Sequence, residues 1–387
     1  MTRVWDVPVH DSTRVRDARV AAEGAAALAG LDGARTADAA LVATELATNL
    51  LKHARGGQLL VEAVAPPDGR PGDLVVQIAA VDHGPGMSDV PAALGDGFST
   101  AGSLGAGLGT CRRVADDFDL HSVPGRGTVA LARIGGAART HGHRERPAGR
   151  TGPGRPPAGT AGQDGRDDAA APGEAPTTTP APAPFPVRVG GVNIPFRGAE
   201  HSGDAWTCAR DGDLLTLMLA DGLGHGLEAA RASTAAVHET HRSAHLPPAA
   251  LLRRLDEALR GTRGAAVAVA QLDLRAGRLR FAGVGNIGAR LREGGSWRHL
   301  LSRPGIVGAH RPSTLPETEA AWAADRLLVL HSDGLPGRWA PPADPRLFLA
   351  DPAVTAAVTV RDAGSSARPV RDDTAVAVLS PTPPDLR

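Results

Sequence analysis

The sequence predicts a two-domain α/β (α+β) protein, and three observations predict it. Residues 1–134 alternate helix-period and strand-period patterns and close on the strand-like GTVALARI. Residues 135–184 turn rich in Pro, Gly and Ala and lose aromatics and nearly all large aliphatics. Residues 185–380 resume apolar runs, and two of these end in Asp-Gly.

Composition narrows the class of function. The chain has 387 residues, with 42 Lys and Arg against 42 Asp and Glu. A net charge of zero gives no long-range field toward nucleic acid or an anionic membrane, so neither is an expected partner. The two cysteines, Cys111 and Cys208, lie far apart in no metal-binding spacing. A reducing, cytoplasmic setting therefore fits better than a disulfide scaffold. The start, MTRVWDVPVHDS, lacks the apolar core of a signal peptide, and no run of roughly 18 apolar residues marks a membrane span. Lys occurs once, at Lys52, and Asn three times, at Asn49, Asn193 and Asn286. Against so strong an Ala, Gly, Pro and Arg bias, a retained rare residue is mildly informative.

In the first unit, residues 36–55 predict a long helix, and DLVVQIAAVD (73–82) a buried strand entering a Gly-rich loop. LGTCRRVADDFDLHS reads as a second helix and GTVALARI as a closing strand. The stretch 135–184 cannot bury enough apolar surface to offset its ordering entropy and predicts a disordered linker. As a random coil it would span roughly 40 Å, joining separately folded units without fixing their orientation. In the second unit, DLLTLMLADG and DRLLVLHSDG predict apolar strands. GLEAARASTAAVHETHRS and PPAALLRRLDEALRG predict helices, and GAAVAVAQLDL with GRLRFAGVGN a pair of strands.

Glu45 and Asn49 are four residues apart on the predicted helix and share one face beside an apolar stripe of Val42, Leu46 and Leu50. A carboxylate next to a core needs a partner. Magnesium suits it, because this hard cation takes few protein oxygens and keeps waters and phosphate ligands. Asn49 offers a carbonyl oxygen to the metal, Glu45 can orient or deprotonate the attacking group, and Lys52 can reach a phosphate. Taken alone, the same residues also describe an ordinary polar edge of a partly exposed helix. They do not stand alone. In VDHGPGM, Asp82 ends a strand, and Gly84 and Gly86 let the backbone approach a flat ligand. A buried carboxylate there can accept a hydrogen bond from an adenine amino group. In DGFSTAGSLGAGLGT, Gly102, Gly105, Gly107 and Gly109 precede a helix whose N-terminus suits phosphate. It fails as a dinucleotide fingerprint, because no strand leads directly into it. Thr128 follows on the closing strand.

This order of Glu-x-x-x-Asn helix, Asp-x-Gly-x-Gly loop, glycine-rich lid and Gly-Thr strand resembles the Bergerat (GHKL) ATP-binding family over almost all of residues 1–134. The resemblance implies a two-layer α/β sandwich. It also implies magnesium on Asn49, adenine on Asp82, triphosphate under Gly105, Gly107 and Gly109, Thr128 near adenine, and Glu45 as base. No phosphoacceptor-histidine helix is visible. Within the family, DHGPGMSDVPAALGDGFSTAGSLGAGL looks closest to the RsbT-like switch kinases of the anti-sigma type. These act on Ser or Thr of STAS-domain partners.

Four Asp-bearing stretches recur in the second unit: HSGDAW, LADGLGHG, LHSDGL and VRDDTAVAVL. One Asp-Gly is most often a turn dipeptide. Acidic groups gathered at strand ends, in contrast, repel unless cations neutralise them. All-oxygen ligands select magnesium or manganese, and two such ions about 4 Å apart polarise a phosphoryl group for in-line attack. Together with FAGVGNIGARL and SRPGIVG, the set resembles the metal-dependent protein phosphatases (PPM) in their SpoIIE-like, RsbX-like branch. The resemblance implies an α-β-β-α sandwich with two Mn2+ or Mg2+ ions. It places Asp221 as the bridging ligand, the Gly222 carbonyl beside it, and Asp204, Asp333 and Asp372 completing the set. In RDDT, register with the following strand favours Asp372 over Asp373. Leu223 stands where other members carry a candidate acid, and no residue is assigned that role.

The expected protein is thus bifunctional. Its first unit, with ATP and Mg2+, would phosphorylate a STAS-type or stressosome-type partner, and its second would remove that phosphate. A sigma factor is a further candidate partner, and a homodimer a candidate state. The alternative is a phosphatase whose first unit is a non-catalytic, ATP-gated binding module.

Overall fold

A computed structural model describes residues 3–66, 74–94, 107–136, 185–364 and 372–383, apart from the Arg197 side chain. The segment predicted as a disordered linker falls almost wholly outside the described residues.

The N-terminal domain runs β1 (Val4–Val9), α1 (Thr13–Leu28), α2 (Gly33–Ala54), β2 (Gly57–Val64), β3 (Val75–Val81), α3 (Val90–Ala93), α4 (Gly107–Val114), β4 (Asp117–Val123) and β5 (Gly127–Ile134). Its five strands form one antiparallel sheet in the order β1-β2-β3-β5-β4. α2 starts where the Asp32 carboxylate accepts from the Arg35 amide at 2.8 Å. It buries Ala39, Val42, Ala43, Leu46, Ala47 and Leu50 against α1 and one face of the sheet. The predicted helix LGTCRRVADDFDLHS is corrected: α4 stops at Val114, and Asp117–Val123 is an edge strand paired with β5. The turn at 124–126 decides this, because Gly125 and Gly127 have φ of 75° and 89° and fold the chain back as a hairpin.

The C-terminal domain stacks two five-stranded sheets. The first has β7 (Asp204–Asp211), β8 (Leu214–Gly222), β9 (Ala265–Asp273), β10 (Arg278–Val284) and β13 (Thr318–Ala321), in the order β13-β10-β9-β8-β7. The second has β6 (Val187–Ile194), β11 (Gly288–Glu293), β12 (Ser296–Leu300), β14 (Leu327–His331) and β15 (Thr374–Pro381), in the order β12-β11-β14-β15-β6. Leu215, Leu217 and Leu219 of β8 meet Leu328, Leu330, Ala375 and Ala377 between the sheets. Helices α5 (Leu227–Arg242) and α6 (Pro248–Ala258) cover the first sheet, and α7 (Pro352–Ala363) covers the second. This is the α-β-β-α sandwich that the strand-end motifs implied.

The expectation that the two units lack a fixed orientation is overturned. Every residue of α7 from Pro352 to Arg361 is buried. A helix apolar all round needs cover on all sides, and the N-terminal sheet supplies the second cover. Leu60, Ala79, Val81, Val129 and Leu131 of that sheet share one apolar cluster with Val354, Ala357 and Val358 of α7. Arg133 of β5 is fully buried here and donates to both oxygens of Asp351, the N-cap of α7, at 2.7 and 2.8 Å. Burial alone would raise the Asp351 carboxyl, but the Arg133 guanidinium outweighs it and holds the group low. Gln77 of β3 donates to the Gly191 carbonyl of β6 at 2.8 Å.

Candidate functional site

In the N-terminal domain, α2 and the loop after β3 carry most of the predicted residues. Asp82 is buried, 7 % exposed. Its Oδ1 accepts from the amides of Gly84 at 2.7 Å and Thr128 at 3.1 Å. Burial raises its pKa; the two amide bonds and the charges of Arg361 and His83 oppose the rise. Thr128 also exchanges a hydrogen bond with Ser122 Oγ at 2.9 Å, and that hydroxyl accepts from the Met87 amide at 2.8 Å. Ser122, absent from the sequence reading, thus ties the loop to the closing hairpin. Gly84 is held against α2, where an added Cβ would sit 2.7 Å from the Ala54 Cα. Gly86 has φ of 68°, and a Cβ there would lie 2.2 Å from the Val123 carbonyl oxygen.

Glu45 and Asn49 lie half-buried on one face of α2. Glu45 acts on Cys111 of α4, whose thiol is pushed up to about 12, chiefly by burial. Asn49 faces the start of α4: a Cβ on Gly107 would be 3.4 Å from its Oδ1. Asn49 Nδ2 is buried without a hydrogen-bond partner among the described residues. An orphaned carboxamide, interchangeable end for end, beside a helix N-terminus fits an ion and a phosphate better than a closed core. Gly109 is buried in α4, and Lys52 is exposed. Gly102 and Gly105 lie outside the described residues.

In the C-terminal domain, the acidic motifs converge at the ends of β7, β8, β14 and β15. Asp204 and Asp221 are direct cross-strand partners on β7 and β8. Asp204 is 2 % exposed; no donor meets its carboxylate oxygens at full hydrogen-bond geometry among the described residues, and the Ser332 hydroxyl and the facing Asp221 act on it more loosely. Its pKa stands well above the usual carboxylate range, through burial and then the charge of Asp221. Asp221 is pushed up to about 7 by burial and by Asp333, Asp372 and Asp373. Asp333 is raised by its remaining burial and by Asp372, against a 2.6 Å hydrogen bond from Asn286. Gly222 cannot carry a side chain, since a Cβ would lie 2.2 Å from the Ala229 carbonyl oxygen.

The two Asp residues of RDDT do different things. Asp373 is buried and accepts from the amides of Phe196 and Gly203, both at 2.8 Å. It fastens the loop before β7. Asp372 is exposed, and its charge raises the pKa of both Asp221 and Asp333. Among the described residues no three His, Cys, Asp or Glu side chains stand as close as the ligands of a single ion. The donor chemistry nevertheless fits divalent cations: a buried Asp204 carboxylate facing the half-buried Asp221, beside two more carboxylates, is costly without positive charge. His225 is exposed at the tip of the loop after β8. A cavity of about 650 Å³ lies elsewhere, lined by Glu62, Trp206, His238 and His241 among others, and no predicted site residue lines it.

Residues 9–133 match the family described as histidine kinase-like ATPase domain, and residues 211–381 the family described as stage II sporulation protein E (SpoIIE). The serine/threonine-protein kinase RsbT of Bacillus subtilis (strain 168) is 44 % identical over 103 residues, 26 % of this chain and 74 % of that protein. Among solved structures, one from work on the bacterial stressosome as a modular system adapted to control secondary messenger signaling is 30 % identical, with a TM-score of 0.44, covering 50 % of this chain and 98 % of that one. The phosphatase domain of SpoIIE from Bacillus subtilis, with a fragment of its regulatory domain, is 14 % identical, with a TM-score of 0.45, covering 83 % of this chain and 81 % of that one. No helix among the described residues is long and apolar enough to cross a membrane.

Proposed function

Because this chain belongs, through its N-terminal domain, to the family of the serine/threonine-protein kinase RsbT, we propose that it both adds and removes phosphate on a serine or threonine of a STAS-type partner. The observation that carries the reading is the pairing, in one polypeptide, of an orphaned Asn49 amide at a helix N-terminus with a buried Asp204 carboxylate that faces Asp221 at strand ends. Each wants a cation and phosphate, and the two are built on different folds.

In the N-terminal domain, Asp82 accepts from the adenine amino group through the oxygen that Gly84 and Thr128 leave free. Asn49 and the α4 amides would hold the magnesium-phosphate end. Glu45 receives the proton of the attacking hydroxyl. Lys52 reaches the phosphates from the exposed side of α2. In the C-terminal domain, Asp204, Asp221, Asp333, Asp372 and the Gly222 carbonyl would hold two Mn2+ or Mg2+ ions. Ions so held would neutralise phosphoryl charge and acidify water. Asn286 orients Asp333, and Asp373 keeps the loop bearing Asp204 in place. The opposed activities suit a partner-switching circuit in the cytoplasm, in which the phosphorylation state of one STAS protein decides which protein it binds.

The test uses the full chain with γ-labelled ATP, magnesium and candidate STAS domains. Label passes to a STAS serine or threonine, and Asn49→Ala and Asp82→Ala each abolish the transfer. Subsequent manganese releases the label as inorganic phosphate in the wild type and not in Asp221→Asn. Stoichiometric capture of the STAS domain without labelling would replace the kinase reading by that of an ATP-gated binding module.

A further inference from the structure

One end of the C-terminal sandwich gathers the acids, and it also carries a cation that the fold does not use. β8 ends there, and β9, antiparallel to it, begins there. Gly222 faces Ala265 across this pair, and the Leu223 amide donates to the Gly264 carbonyl at 3.0 Å. Arg263 and Gly264, which precede β9, are thereby laid along the loop that follows Asp221. Gly224 of that loop has φ of 87°, and a Cβ on it would lie 2.9 Å from Arg263 Nη1. The guanidinium thus sits over the loop between Gly222 and α5. Arg263 is exposed, and no group among the described residues pairs with it. Arg231, Arg254 and Arg275 of the same domain, in contrast, each pair with a carboxylate.

Asp204, Asp221, Asp333, Asp372 and Asp373 lie within one another's fields at this end. Two divalent ions set against these five carboxylates leave a fully ionised site with one negative charge. A phosphoserine adds about two more. Like charges at such range repel, so a fixed cation beside the acids is what draws the substrate in. A guanidinium suits the task, because it stays charged at any working pH and its planar fork matches two phosphoryl oxygens.

We propose that Arg263 is the residue of the C-terminal domain that binds the phosphoryl group of the phosphoserine or phosphothreonine substrate. It takes non-bridging oxygens of the phosphate from the side of the loop after β8 and leaves the acids to the ions. This role presupposes the phosphatase reading of those acids and adds to it the group that recognises the substrate's phosphate.

The experiment uses the full-length chain. Initial rates with manganese are measured on para-nitrophenyl phosphate and on a phosphoserine peptide. Calorimetric titration of inorganic phosphate into the magnesium-loaded chain gives a readout independent of turnover. Binding lost equally from ground and transition state raises KM and spares kcat. Arg263→Gln is therefore expected to raise KM about tenfold on both substrates, which share only the phosphoryl group, and to weaken inorganic phosphate about as much. Its kcat stays within about twofold of the wild type. Arg263→Lys recovers most of the loss. Arg278→Gln removes an equal, exposed charge at the far end of β10 and changes neither constant. An unmoved KM in Arg263→Gln, or a fall in kcat alone, overturns the proposal. An equal rise in Arg278→Gln does so too, as the mark of long-range charge. A larger rise in Arg303→Gln, an exposed arginine bridged to Val284 at the acidic end, passes the role to that residue and is equally fatal. A wild-type chain that neither hydrolyses the two substrates nor binds phosphate sinks the phosphatase reading itself; an active chain with Arg263→Gln unmoved sinks this role only.

Discussion

Asp204 is the residue whose surroundings make least sense without an ion. It faces Asp221 across a strand pair, and no donor among the described residues meets its oxygens at full hydrogen-bond geometry. Two carboxylates so placed destabilise the fold that holds them. Asp204→Asn is therefore expected to raise the melting temperature of the chelator-treated protein by a few degrees, corresponding to roughly 1 kcal/mol. The same change is expected to shrink the stabilisation that added manganese confers. Differential scanning fluorimetry with and without manganese checks both. A variant that melts below the wild type in chelator would mean that the pair is a structural hydrogen-bonded unit. At this scale the sequence was informative wherever a residue's chemistry conflicted with its setting: Glu45 and Asn49 on an apolar helix, or Asp after an apolar strand. It was silent on Ser122 and Arg361. A serine and an arginine in an Arg-rich chain carry no such conflict until the fold buries them.

At the scale of elements, α7 decides the architecture. Its sequence, PAVTAAVTVRDA, carries no charge before its last turn. Its two threonines turn their hydroxyls back to carbonyls, Thr355 to Leu347 at 2.8 Å and Thr359 to Thr355 at 2.8 Å. Asp351→Ala leaves Arg133 buried and unpaired, so it is expected to cost about 3–5 kcal/mol of unfolding free energy in denaturant titration. Adding Arg133→Met to that variant recovers most of the loss, since no buried charge then remains. Failure of the second substitution to help would show that the pair mainly caps the helix. The helices 33–54, 227–242 and 248–258 and the Asp-Gly strands were legible because each has one apolar face or an unbroken apolar run. β4 was not, because Asp117 to Val123 continues the helical composition of α4 and only the turn after it reveals a hairpin. The burial of α7 was readable in principle: a helix with no charge before its last turn promises cover on every side.

At the scale of the molecule, the shared interface carries a buried acid. Glu62 is 4 % exposed and accepts from Gln77 Nε2 at 3.0 Å. Burial pushes its pKa from 4.5 up to about 8, against Gln77 and Arg133. A folded pKa above the unfolded one means that the native state keeps a proton the unfolded chain releases. Stability from this group is thus complete below pH 4.5 and drains away as pH rises through about 8, by about 1.4 kcal/mol per pH unit in between. Glu62→Gln is expected to flatten that slope and to melt higher than the wild type at pH 8; equal slopes in urea titrations at pH 5, 6.5 and 8 would discharge Glu62 from the role. The arrangement around α7 has a practical corollary for anyone hoping to separate the halves. A protease cut anywhere between residues 137 and 184 leaves every described contact of the interface intact. The expected product on gel filtration is a nicked particle that elutes as one. Two independent enzymes would emerge only after denaturant has pried the helix loose from its second cover.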